Sequence, residues 1–152
     1  MARRLAAEGE TGARQWTCLV VEPEADSREE LVRLLTNRGC RVIPAAGAEE
    51  SMELVQRLRF DVVFCSSGLP GLNWVEFSEG IRSQIGAFTL LTEAFDFELS
   101  RGLLSAQTHV LTKPFSDAEL DQVLAAIESR LAAPEGARRL QIVRPEKRAL
   151  SI

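Results

Sequence analysis

No apolar run in the 152 residues approaches the roughly 20 that a membrane-spanning helix requires, so no such helix is expected. The opening MARRLAAEGETGARQW has arginines but no apolar h-region, and no secretory signal is expected from it. Cysteine occurs only at Cys18, Cys40 and Cys65, irregularly spaced and mostly inside apolar stretches. That pattern excludes a disulfide framework or a zinc knuckle and points to reduced core thiols in a cytoplasmic protein. There is no G-x-S-x-G nucleophile elbow, no P-loop, no repeat and no low-complexity segment. The one histidine, His109, lies four residues before Lys113, about 13 Å back along a strand at roughly 3.3 Å per residue. It is too far from Ser66 to serve a hydrolase there and reads as a half-buried strand residue. No enzyme is expected.

The charge is unevenly spread. Residues 17–133 carry 10 basic against 18 acidic side chains, whereas 134–152 hold Arg138, Arg139, Arg144, Lys147 and Arg148 against Glu135 and Glu146. A body that acidic is a poor match for phosphates, so a nucleic-acid partner is not expected. The basic tail reads as a linker, with contact to an acidic partner as the other reading.

What is present is strict alternation. Five short apolar runs, TCLVVE (17–22), RVIPA (41–45), DVVFC (61–65), AFTLLT (87–92) and THVLT (108–112), are separated by helical patterns. SREELVRLLTNRGC opens with a capping box, Ser27 with Glu30, and puts Leu31, Leu34 and Leu35 on one face. AEESMELVQRLR (48–59) places Met52, Val55 and Leu58 inward by the same spacing. Weaker helices are predicted over 74–84 and 97–106, each with an internal glycine. The last helix has a second capping box, Ser116 with Glu119, followed by Leu120, Val123, Leu124, Ile127 and Leu131, and stops before Pro134. The pattern predicts one α/β domain over 17–133, with an N-terminal extension (1–16) and a basic C-terminal tail (134–152). Right-handed crossovers then give a parallel sheet covered on both faces.

Chemistry in such a sheet sits beyond the carboxyl ends of the strands. Glu22, Ser66, Thr92 and Lys113 follow strands one, three, four and five, and converge on that lip. The stretches LVVEPEADSREEL, DVVFCSSGLPG, LLTEA and VLTKPF resemble the receiver domain of two-component response regulators, and VLTKPF is the most specific of them. The resemblance spans residues 17–131 and implies a flavodoxin-like five-stranded parallel sheet of order 2-1-3-4-5. It also implies a cis peptide between Lys113 and Pro114, and a phosphoacceptor aspartate at the end of the third strand.

Ser66 stands where that aspartate belongs, and Pro23 stands where the second magnesium-holding acid belongs. Val110 takes the place of the aromatic that swings inward on activation. A serine hydroxyl is neutral at pH 7, whereas an aspartate carboxylate is ionised and nucleophilic. The expectation is a pseudo-receiver: an interaction module with no cofactor and no metal, Glu22 and Glu24 being the weak metal candidates. Lys113, without its usual partner, should pair with Glu22 inside a fixed polar cluster of Glu22, Ser66, Thr92 and Lys113. At a lip open to water, Lys113→Met should cost roughly 1–2 kcal/mol.

The alternative is a receiver with unusual phosphoryl or ligand-sensing chemistry in the vacated cleft. Expected partners are another signalling protein or an output domain, or a second copy through the face of the fourth predicted helix, fifth strand and fifth helix. Phe95, Phe97 and Leu103 would lie on that face. Trp74 and Phe77 read as core or loop packing near the cleft, and Cys65 as core packing ahead of a redox-sensitive thiol.

Overall fold

The computed structural model describes residues 15–71, 73–93 and 108–133. The five apolar runs form one parallel sheet: β1 (Thr17–Val21), β2 (Arg41–Ala45), β3 (Val62–Ser66), β4 (Ala87–Glu93) and β5 (Thr108–Lys113). The strand order is β2-β1-β3-β4-β5, as the resemblance implies. Four helices are described: α1 (Ala25–Asn37), α2 (Ala48–Arg57), α3 (Trp74–Ile81, continued by a 3-10 turn over Arg82–Gln84) and α4 (Asp117–Ala132). The last of these is the fifth helix of the sequence reading. The helix predicted over 97–106 lies outside the described residues, as do Phe95, Phe97, Leu103 and the tail from 134.

Alternation along each strand sends side chains to two separate cores. Cys18, Val20, Val62 and Phe64 face α1 and α4, where they meet Leu31, Leu35, Leu120, Leu124 and Ile127. Leu19, Val21, Val63 and Cys65 face α2 and α3, with Val55, Trp74, Phe77 and Ile81. Burial on both faces is why β1 and β3 read as unbroken apolar runs. Trp74 stacks on Phe88 at 6.4 Å, and Phe77 meets the same ring edge-on at 6.3 Å, so both aromatics are core. Among the described residues, the only proline within a strand, Pro44, sits in edge strand β2, where a missing donor is tolerated.

Three local expectations change. Trp16, assigned by the sequence to the N-terminal extension, packs against the core, and its carbonyl accepts the Arg41 N–H. α1 begins three residues earlier than the Ser27–Glu30 box would place it. Glu24 is the N-cap, and its carboxylate accepts the Ser27 N–H at 2.7 Å. The box at Ser116 and Glu119 does form, in both directions.

The third change concerns α2. Val55 is buried, but Met52 and Leu58 are 39% and 44% exposed, and the small Ser51 is buried instead. Leu58 lies past the last helical turn, and the helix rests on the sheet through Ser51 and Val55, with Ala48 and Leu54 half-buried beside them. Met52→Gln should therefore change stability by no more than about 0.5 kcal/mol, as surface substitutions do. A denaturant midpoint moved well beyond that would return Met52 to the core.

Candidate functional site at the carboxyl lip of the sheet

The β1–α1 turn carries Glu22, whose side chain is only 3% exposed although it is charged. Both of its oxygens are engaged. Oε1 accepts from Lys113 Nζ at 2.9 Å, and Oε2 accepts the Glu24 N–H at 3.0 Å. Arg28, one turn into α1, donates to the carbonyls of Glu22 (2.9 Å) and Pro23 (3.4 Å) and so pins the turn from below. Pro23 is exposed and carries no side-chain ligand. Glu24, the other weak metal candidate, spends its carboxylate on the helix cap, and the Ser27 contacts hold its pKa below the usual range. Among the described residues, no group of three or more His, Cys, Asp or Glu side chains gathers in a metal-ligand arrangement.

Lys113 ends β5 and precedes a cis peptide to Pro114. Besides Glu22 it has Glu93 Oε2 at 3.9 Å. Glu93 is its register partner on β4. The expected four-member cluster does not form as such. Ser66 ends β3 and its Oγ turns into its own loop, accepting the Gly68 N–H at 3.2 Å. It is Ser67 that meets Thr92, Oγ to Oγ1 at 3.3 Å, while its N–H donates to the Leu91 carbonyl. Thr92 in turn donates to the Glu93 carbonyl at 3.1 Å. The lip thus holds two groups, the Glu22–Lys113 pair and a Ser67–Thr92 hydroxyl bridge, with the Ser66 hydroxyl turned to its own loop. Val110 is half-buried on β5 beside Leu90.

Sequence reasoning missed Ser67, Glu93 and Arg28. The doubled serine and the glutamate after Thr92 were visible as letters, but which hydroxyl faces Thr92 depends on how the β3 loop turns.

The cysteines are buried free thiols. Burial, then the Glu22 charge, pushes Cys65 up to about 12, so it is no nucleophile at neutral pH. Contact with Cys40, then burial, raises Cys18 as well. His109 is half-buried on β5 beside its register partner Thr89, which is fully buried. Among the described residues, neither His109 Nε2 nor Thr89 Oγ1 has a hydrogen-bond partner.

Burial, then the Arg130 charge, holds the His109 pKa below its ordinary value. An unfolded chain therefore takes up a proton near pH 6.5 that the folded chain resists, so stability falls as the pH drops below about 6.5 and is complete above it. With no other histidine in the chain, His109→Leu should flatten the denaturant midpoint between pH 5 and 7. A wild-type slope that survives this change would assign the titration elsewhere.

The family model described as response regulator receiver domain matches residues 18–125. The chain belongs to the receiver family of two-component signalling. This receiver is 32% identical over 115 residues to the transcriptional activator protein PfeR of Pseudomonas aeruginosa, covering 74% of the chain and 38% of that protein. It is 31% identical over 122 residues to the sensor histidine kinase AruS of the same species, covering 76% of the chain but 12% of that protein. Among solved structures, the chemotaxis response regulator CheY4 of Vibrio cholerae superposes with a TM-score of 0.63 at 24% identity, over 75% of the chain and 99% of that protein. The receiver thus spans well under half the length of the two curated relatives. No described helix is long and apolar enough to cross a membrane.

Proposed function

We propose that this receiver is a pseudo-receiver: a cytoplasmic protein–protein interaction module whose signalling does not depend on phosphate, and not an enzyme. The observation that carries the reading is the Lys113–Glu22 pair at 2.9 Å beside a strand end occupied by Ser66. Ser66 offers no carboxylate for an acyl phosphate, and among the described residues its hydroxyl is bonded to the Gly68 N–H and not to a base. The lip also fits magnesium poorly. That ion wants near-octahedral hard oxygens with one or two carboxylates, yet Glu22 is shared between Lys113 and a backbone N–H and Glu24 caps α1. Thr92 is tied to Ser67, and Val110 provides no ring to move. The partner is another signalling protein or an output domain, as the mixture of regulators and a kinase among the relatives suggests.

Incubation of the full chain with acetyl phosphate and magnesium, read by intact mass, should add no phosphoryl group. A hydroxylamine-labile adduct would overturn the reading and favour a receiver with unusual phosphoryl chemistry.

A further inference from the structure

Two of the three buried thiols share one core and the third does not. Cys18 and Cys40 belong to the cluster under α1 and α4, whereas Cys65 faces α2 and α3 on the other side of the sheet. In the β1–β2 register Thr17 stands opposite Arg41 and Cys18 opposite Val42, so Cys18 and Cys40 lie diagonally across neighbouring chain segments. The backbone at Cys40 is fixed. Gly39, in the left-handed region at φ 94°, turns the chain out of α1. The Cys40 N–H then donates to the Leu35 carbonyl at 3.1 Å, and the Arg41 N–H to that of Trp16 at 2.8 Å. Held there, Cys40 sets its sulfur against the Cys18 thiol, and the two are in hydrogen-bonding contact. Cys18 is wholly buried and Cys40 is 6% exposed, so an oxidant arriving from solvent meets Cys40 first.

We infer that Cys18 and Cys40 form an oxidant-sensitive pair, which a hydroperoxide joins into an intramolecular disulfide. In the first step the Cys40 sulfur takes one peroxide oxygen. An S–O bond forms, the O–O bond breaks, and the thiol proton leaves with the other oxygen as water. In the second step the Cys18 sulfur attacks the Cys40 sulfenic sulfur. The S–S bond forms, the S–O bond breaks, and the Cys18 proton leaves with the hydroxyl as a second water. Both thiols are thereby oxidised and the peroxide is reduced. Burial keeps Cys18 protonated, so it is no free nucleophile. Contact with Cys40 overcomes this, because the proton passes directly to the departing hydroxyl. The cross-link ties β1 to the turn after α1 and encloses the whole β1–α1 turn of the lip, Glu22 and Glu24 included. Closing that loop restricts the unfolded chain, so the oxidised protein should be harder to unfold. The pair goes beyond the pseudo-receiver reading and does not depend on it.

Exposure of the folded, full chain to hydrogen peroxide, followed by unfolding and alkylation, tests this. The chain has three cysteines, all free, so the untreated protein should take three labels and the oxidised protein a single one, at Cys65. The intact mass before alkylation should fall by two hydrogens, and a peptide linking Cys18 to Cys40 should appear. Dithiothreitol should restore all three labels. Cys65→Ser should keep the cross-link, Cys40→Ser should abolish it, and the oxidised wild type should unfold at a higher urea concentration. Retention of three labels, added oxygen in place of lost hydrogen, or a link through Cys65 would overturn the inference. So would a urea midpoint lowered by oxidation, which would mean that the two sulfurs do not meet in bonding geometry.

Discussion

Lys113→Met is expected to lower stability by about 3 kcal/mol, since it leaves the Glu22 carboxylate in a nearly dry site without its counter-charge. The lip alone suggested roughly 1–2 kcal/mol, on the assumption that water reaches both partners. The structure places them unequally: the Glu22 side chain is 3% exposed and that of Lys113 19%. The cost of stranding a charge follows the burial of the group left behind, so the two single changes should differ. Glu22→Gln leaves an ammonium that water and Glu93 still reach, and should cost only about 1–2 kcal/mol. The double change should fall short of the sum by about 1–2 kcal/mol, because the pair is lost once. Urea melts of both singles and the double measure this. Additive losses would mean that the 2.9 Å contact contributes no coupling.

Leu124→Ala should cost about 3 kcal/mol, in the middle of the range for deleting a buried leucine side chain. Leu124 is fully buried under α4 and joins Leu120 and Ile127 over Phe64 and Leu111. Its surroundings are sheet residues that cannot close in, so a cavity remains. The lower end of α4 is similarly tight, since a Cβ on Gly86 would run into the Leu131 side chain. Val123, one position away, is half-buried and only packs against the edge of the cluster. Val123→Ala should therefore cost about 1 kcal/mol or less. Equal losses at the two positions would mean that α4 is rotated from the orientation described.

These contrasts mark where one-dimensional pattern stops. A spacing of three and four residues predicts a helix with an inward stripe, and it found Leu31, Leu34, Leu35, Leu120, Leu124 and Ile127. It also put Met52 and Leu58 in the core and treated Val123 as Leu124's equal, because a stripe has no width until the helix is laid on a particular sheet. Capping boxes are equally ambiguous. Ser116 with Glu119 and Ser27 with Glu30 have the same spacing, but at α1 the turn after Pro23 lets Glu24 cap first.

The sequence by itself determined a parallel sheet covered on both faces, because strand–helix alternation with right-handed crossovers leaves few other arrangements, while its order came from what the resemblance to receivers implies. It also determined that Glu22, Ser66, Thr92 and Lys113 gather at one lip, since each follows a parallel strand and parallel strands end on the same side. It correctly paired Lys113 with Glu22, the nearest charge able to offset a half-enclosed ammonium. Only the tertiary structure decided the rest: that Glu22 is deep and Lys113 shallow, that Ser67 reaches Thr92 while Ser66 folds back on Gly68, and that Glu93 stands behind Lys113. These outcomes turn on a few tenths of an ångström and on which way a loop side chain points. Hydrogen bonding and desolvation are steep over such distances, and no periodicity in the letters encodes them.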